Sequence, residues 1–315
     1  MNQIPVISVE SLVNRDSRAL TVEALGNALR EIGFVTLTDH GISQQKIDDL
    51  YDQCRRFFAL PLEMKSKYEI AEWAGQRGYT SFGKEHAKGR MEGDLKEFWH
   101  FGQEGFEDQY TEESYLPNLI CAELPSFHTA GMRMYRELER VGSVILAGIA
   151  QYLGLKADFF DQMIAGGNSI LRPIHYPPIT AEPKAAERAA AHEDINLITL
   201  LVGSSADGLE VLHNKGHWIA VGANHSELVM NVGDMLQRLT NGVLKSTTHR
   251  VVNPPQAYWH LPRYSIPYFL HPRSATSLNV LPECIAADHP KRYADITAGA
   301  YLQERLREIG LTGKG

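Results

Sequence analysis

The chain has 315 residues, 43% apolar and 22% charged, with a net charge of −7 when its thirteen histidines are neutral. That supplies a core for one large domain or two interlocked ones, and with no Lys/Arg run there is no nucleic-acid footprint. The opening MNQIPVISVES has no basic n-region or apolar h-region, no stretch approaches roughly 18 unbroken apolar residues, and Cys54, Cys121 and Cys284 are odd in number and far apart. No leader, membrane span, disulfide framework or cysteine metal site is therefore expected, and a reducing cytoplasm suits the chain.

Residues 21–32 carry Leu25, Leu29 and Ile32 on one face, and 44–58 carry Ile47, Leu50, Tyr51, Cys54, Phe57 and Phe58 at helical spacing. Between them GFVTLTDHG alternates like a short strand ending on Gly41. Asp94, Lys96 and Glu97 precede Phe98-Trp99-His100-Phe101; they read either as a pocket wall or as a solvated turn before a core strand. A long helix is expected at about 125–153, its buried stripe marked by Met134, Leu138, Val141, Ile145, Ile149 and Tyr152, with Gly154 as the stop. From about 168 the pattern changes to short β-rich runs: SILRPIHY, NLITLLVG, LEVLH, HWIAVG, ELVMNVG, THRVVN and RYSIPYFL. Turn signals separate them at Ala206-Asp207-Gly208, Asn214-Lys215-Gly216 and Asn241-Gly242, a spacing that predicts a sandwich or barrel. A last helix over about 297–309 aligns Leu302, Leu306 and Ile309, with Gly310 behind it. The expected fold is mainly β with surrounding helices: a helical and mixed region over 1–165, a β core over 166–275 and a helical segment over 276–315.

The chemistry concentrates at Ala191-His192-Glu193-Asp194, which leads into an apolar strand. Residues i and i+2 of a strand share a face, so His192 and Asp194 aim an imidazole and a carboxylate into the same space. His249 precedes a second apolar strand, HRVVN. Two histidines and one carboxylate make the facial triad that holds Fe(II) and leaves positions open for other ligands. HxD alone is common by chance, and a lone His before a strand is usually structural. Arg263-Tyr264-Ser265, about fourteen residues past His249, raises the odds, because a guanidinium and a hydroxyl on one strand face can fork a carboxylate.

Taken together, HEDINLITLL, DGLEVLH, NVGDMLQRLTNG, LKSTTHRVVNP and RYSIPYFLHP resemble the isopenicillin N synthase-like family of 2-oxoglutarate/Fe(II) dioxygenases. So do IPVISV, GFVTLTDHGI, FFALPLEMKSKY and DLKEFWHFG in the first half, and the similarity covers nearly the whole chain. The resemblance implies a double-stranded β-helix, or jelly roll, wrapped by helices. It implies Fe(II) on His192, Asp194 and His249, with 2-oxoglutarate and O₂ as cosubstrates. Arg263 and Ser265 would receive the distal carboxylate of 2-oxoglutarate, with Tyr176 helping to hold it. The chain departs from the family's Asn-x-Tyr element, where Ile174 stands at the Asn position.

The implied reaction couples oxidative decarboxylation of 2-oxoglutarate to oxidation, by default hydroxylation, of a small organic substrate. One alternative is a 2-oxoglutarate-independent oxidase of the isopenicillin N synthase type, and another is a jelly-roll protein that binds metal without redox chemistry. The candidate substrate contacts are Arg172, His100 and Phe269. Arg172 shares strand parity with Ile174 and Tyr176 unless Pro173 disturbs the alternation, and an inward guanidinium needs as partner an internal carboxylate, the substrate, or 2-oxoglutarate beside the missing Asn. His213 and His217 flank a hairpin turn and are expected to face solvent. Gly233-Asp234, Thr240-Asn241-Gly242 and His271-Pro272 read as structural. No pattern encodes the substrate's identity or the oligomeric state, for which a monomer is the simplest expectation.

Overall fold

The computed structural model describes residues 3–73, 75–85, 93–105, 115–183, 186–203, 205–222, 224 and 226–308. Four strands precede the long helix: β1 (Val6–Ser8), β2 (Phe34–Thr38), β3 (Gly78–Thr80) and β4 (Glu97–Gly102). After it come β5 (Ile170–Leu171), β6 (Ile174–Tyr176), β7 (Ala189–His192), β8 (Ile198–Val202) and β9 (Leu209–Leu212). The last are β10 (Trp218–Ala220), β11 (Leu228–Val232), β12 (His249–Val251) and β13 (Arg263–Leu270). They form two facing sheets. The larger runs β1-β2-β11-β8-β13-β5-β4-β3, with β6 bridging β13 and β4, and the smaller runs β10-β9-β12-β7. This is the jelly roll that the resemblance implies.

The central strands of the larger sheet are buried on both faces, so they read as nearly unbroken apolar runs rather than as alternating ones. Their outward residues, Leu200, Met230, Ile266, Tyr268 and Leu270, join the main core with the helices Arg18–Glu31, Gln44–Phe58 and Pro125–Tyr152. Their inward neighbours feed a second core between the sheets. There Phe34, Val229, Ile174 and Tyr176 meet Ala189, Val211 and Val251 of the smaller sheet. The inward set also contains Thr199, Asn231, Arg263 and Ser265, all buried. One parity of three strands is thus reserved for polar groups inside an otherwise apolar shell.

SILRPIHY folds as two short strands, because Pro173 has no N–H to give the ladder. The register nevertheless continues across the gap. Ile170 and Leu171 oppose Phe269 and Tyr268, while Ile174 and Tyr176 oppose Ser265 and Arg263. The parity expected for Arg172, Ile174 and Tyr176 therefore holds. The last helix is Ala298–Glu308; Ile309 and Gly310 lie outside the described residues. Among the described residues no helix is long and apolar enough to cross a membrane.

Gly33 ends the helix Arg18–Glu31 and starts β2. Its φ is +73°, and a Cβ there would lie 2.2 Å from the Lys245 carbonyl oxygen. Its own carbonyl accepts from Val232 N–H at 3.0 Å, which seats β2 beside β11. Left-handed strain and a backbone clash both act on any side chain here, so Gly33→Ala should cost at least about 2 kcal/mol in urea unfolding. A stability within about 0.5 kcal/mol of the parent would refute this account of the turn.

Candidate metal centre

His192 is the last residue of β7 and His249 the first of β12, and the two face each other in antiparallel register. Their rings lie 4.4 Å apart. Each ring is oriented in the same way. Nδ1 of His192 bonds the Ala190 carbonyl at 2.7 Å and Nδ1 of His249 bonds the Thr247 carbonyl at 3.1 Å, each two residues upstream. A carbonyl only accepts, so Nδ1 carries the proton and the Nε2 lone pair is left for a metal.

Asp194 completes the group. Its Oδ1 lies 3.9 Å from Nε2 of His192 and 3.8 Å from Nε2 of His249. Its Oδ2 accepts from Thr199 Oγ1 at 2.6 Å and from Asn231 Nδ2 at 2.8 Å. Thr199 and Asn231 oppose each other on β8 and β11, so two strands of the larger sheet grip one oxygen and leave the other free. The carboxylate's own loop is clamped from behind. Asp234 N–H donates to the Asp194 carbonyl at 2.7 Å, and Met235 N–H to the Asn196 carbonyl at 3.1 Å. Gly233 permits that approach, since a Cβ there would sit 2.2 Å from the Asn196 oxygen.

Among the described residues, this is the set of His, Cys, Asp and Glu side chains that brings three ligand atoms within 4.8 Å of one another. Burial opposes the charge on Asp194, but His249, His192 and the Asn231 and Thr199 hydrogen bonds outweigh it and hold the carboxyl below its usual range. Burial, helped by His249, keeps His192 neutral, with its pKa pressed down to about 4. Two imidazoles and one carboxylate form a donor set that fits Fe(II).

Arg263 and Ser265 point into the same interior from β13, opposite Tyr176 and Ile174. Arg263 is 1% exposed. Its Nε donates to the Ala206 and Asp207 carbonyls at 3.1 and 3.2 Å, its guanidinium lies 5.0 Å from the Tyr176 ring, and its Nη1 is buried without an acceptor. An orphaned guanidinium N–H beside a buried hydroxyl fits the carboxylate of a dicarboxylate ligand. Ile174 offers apolar surface only.

A cavity of about 670 Å³ opens over His192 and Asp194. Phe98, His100, Arg172, Phe269 and His271 line it, and Leu302, Arg305 and Leu306 reach it from the last helix. Arg172 lies between two rings, 4.5 Å from Phe98 and 5.0 Å from Phe269. Its Nε donates to His100 Nε2 at 2.5 Å, while His100 Nδ1 meets the Gly75 carbonyl at 2.6 Å. Its Nη1 reaches both oxygens of Glu85 at 3.3 Å. Lys96 bonds Asp94 at 2.8 Å and lies 3.8 Å from Glu85. Burial would raise Glu85, but Arg172 and Lys96 pull it down to about 2.

Of the charged turn, Asp94 and Lys96 line the cavity, whereas Glu97 points to the helical side, bonded to Lys65 and His175 at 2.7 Å each. His213 is buried and stacked on His217 at 4.7 Å, against the expectation that both face solvent; the hairpin folds this ring inward, and no third ligand joins the pair among the described residues. His271 lines the cavity as well as closing β13. Thr199, Asn231, Glu85 and Arg188 were missed. Asn231 stands out only as the one amide in ELVMNVG, and Glu85 carries no signal at all. Arg188 lies just before β7, and the register shift between Ala189 and His192 hides its direction from strand parity.

Residues 4–123 match the family described as the N-terminal region of the non-haem dioxygenase in morphine synthesis, and residues 167–272 match the 2OG-Fe(II) oxygenase superfamily. The chain belongs to the 2OG-Fe(II) oxygenase superfamily. Proline hydroxylase buaE of Petromyces alliaceus is 33% identical over 90% of this chain and 92% of its own. A 2OG-Fe(II) oxygenase family protein from Caulobacter crescentus is 43% identical, with a TM-score of 0.86 over 97% of this chain and 99% of its own. A Neurospora crassa enzyme crystallised with 2-oxoglutarate and thymine is 30% identical, with a TM-score of 0.85 over 96% of both chains. This oxygenase uses Fe(II), 2-oxoglutarate and O₂, and couples oxidative decarboxylation of 2-oxoglutarate to oxidation of a small organic molecule. The family membership favours that reaction over the oxidase and the non-redox readings.

Two outcomes follow from this geometry. Freeing Asp194 Oδ2 should loosen the ligand, so Asn231→Leu and Thr199→Val should each weaken Fe(II) binding roughly 10- to 100-fold in anaerobic titration; unchanged affinity would remove their supporting role. Burial also presses His271 down to about 4. The unfolded chain takes up a proton near pH 6.5 that the folded ring refuses, so this stability is present above about pH 6.5 and drains as pH falls toward 4. Denaturation of His271→Asn between pH 7 and 4.5 should show a shallower decline than the parent.

Proposed function

We propose that His192, Asp194 and His249 hold the iron, and that Arg263, Ser265 and Tyr176 hold the distal end of 2-oxoglutarate. The primary substrate, in this reading, is a small neutral or zwitterionic polar molecule that is hydroxylated in the cavity walled by Phe98, His100, Arg172 and Phe269. The observation that carries the substrate class is the pairing of the wall's charges. Arg172 already has Glu85, and Lys96 already has Asp94 and Glu85. A carboxylic acid would have to displace an internal carboxylate to reach either cation. A molecule carrying both donors and acceptors can instead join the network as it stands. His100 fits this role as a neutral ring, because burial and the Arg172 charge hold it well below the usual histidine value. The Neurospora enzyme's complex with thymine, an uncharged ring with donors and acceptors, is in keeping with such a ligand. The three buried free cysteines suit action in a reducing compartment such as the cytoplasm.

Two measurements decide between the parts of this reading. Succinate release in a screen of neutral heterocycles, amino acids and simple carboxylic acids, with products read by mass, should favour the first two classes and give a gain of one oxygen. A clear preference for simple carboxylic acids would defeat the charge argument. Arg172→Leu should lose substrate-dependent turnover while keeping uncoupled 2-oxoglutarate turnover, whereas Arg263→Leu should raise the 2-oxoglutarate requirement roughly a hundredfold. Equal losses of both rates in Arg172→Leu would move that residue to the cosubstrate.

A further inference from the structure

Arg188 lies just ahead of β7, four residues before His192, and its side chain turns into the interior beside Tyr176. It is 2% exposed. Its Nη2 donates to the Leu261 carbonyl at 3.1 Å, and its Nε is buried with no acceptor. Its guanidinium lies 5.9 Å from the Tyr176 ring, the same ring that Arg263 approaches at 5.0 Å. Two buried guanidinium groups therefore flank one tyrosine. Each has an orphaned N–H, and among the described residues no carboxylate pairs with either.

This contrasts with the neighbouring cavity, where Arg172 and Lys96 both have internal carboxylates. Two buried like charges without a counter-anion are costly, and a desolvated N–H without an acceptor adds to that cost. Burial and the charge of Arg263 together press Arg188 down to about 10, so the repulsion is felt but the group stays a cation near neutral pH. An anion placed between the two groups removes both penalties. Ile174, which opposes Ser265, brings no side-chain donor of its own, and Arg188 brings one from just ahead of β7.

We propose that Arg188 is a second anchor for the distal carboxylate of 2-oxoglutarate, shared with Arg263. This rests on the reading of Arg263 as the receptor of that carboxylate. Two cations against one carboxylate make the receptor electrostatically greedy, so it grips the succinate product as well as the cosubstrate. Arg188 acts on binding and positioning of the cosubstrate and leaves the reacting end to the triad.

The experiment titrates 2-oxoglutarate anaerobically into the Fe(II) protein, following the visible charge-transfer band, for the parent, Arg188→Met, Arg188→Gln and Arg263→Met. Gln keeps a donor for the Leu261 carbonyl but removes the charge, so it decides the question if the Met variant does not fold. Both Arg188 variants should bind 2-oxoglutarate tenfold or more weakly, with KM for 2-oxoglutarate raised and kcat little changed, and succinate should inhibit them less. Their melting temperature without 2-oxoglutarate should be no lower than the parent's, and the rise on adding saturating 2-oxoglutarate should be smaller. A lower melting temperature with 2-oxoglutarate affinity within twofold of the parent is the signature of a structural role and overturns the proposal. If Arg263→Met weakens binding and Arg188→Gln does not, only the role of Arg188 fails. If neither variant weakens binding, the receptor itself is misplaced and both readings fail.

Discussion

The centre depends on one register. His192 and His249, more than fifty residues apart in sequence, are brought ring to ring because β7 and β12 pair antiparallel with these two residues opposite each other. A slip of one residue would turn either imidazole to the other face of its strand. The pairing is guarded on both sides. Val211 of β9 is the other partner of His249 and packs in the inter-sheet core, and Ala189, three residues before His192, packs there too. The apolar core of the jelly roll is thus what sets the geometry of the candidate metal centre. The carboxylate is added from the opposite sheet's grip on Asp194, through Thr199 and Asn231.

That division of labour explains why a strand such as β11 can be buried on both faces and still serve the site. Its outward residues anchor it in the main core, and this rigidity lets Asn231 hold a carboxylate oxygen with a single amide. Asparagine there is a donor with little freedom, held by Leu228, Met230 and Val232 in the main core. A polar side chain in so apolar a strand is tolerated because its hydrogen bonds are satisfied by the group it positions.

The two groups of buried cations near the triad are treated in opposite ways. The cavity above His192 neutralises its cations with Glu85 and Asp94, so it presents dipoles and paired ions to whatever enters. Arg188 and Arg263, on either side of the Tyr176 ring, meet no carboxylate among the described residues. In the reading proposed above, an interior that balances its charges on one side and leaves them unbalanced on the other suits two ligands of different charge.

Much of this was legible in the sequence. The His-x-Asp spacing, the second histidine before an apolar strand and the Arg-x-Ser pair follow from strand parity, which depends only on neighbours along the chain. The helices over residues 44–58 and 125–153 were equally plain, because their stripes repeat at the helical period and are long. Parity put Arg172, Ile174 and Tyr176 on one face but left open whether Pro173 would disturb the alternation, and the strand pairing shows that it does not. What stayed hidden is what needs two distant segments at once. Nothing near Glu85 announces that it meets Arg172, nothing in ELVMNVG says that its asparagine holds Asp194, and the inward turn of His213 depends on the packing of its hairpin. Parity could not place Arg188, because the register shifts between Ala189 and His192, and it could not say that no carboxylate among the described residues would meet it. Local sequence determines which way a side chain points; whether it arrives at a partner, a ligand or an empty space is decided by the pairing of strands, a non-local contact that the chain finds only when it folds.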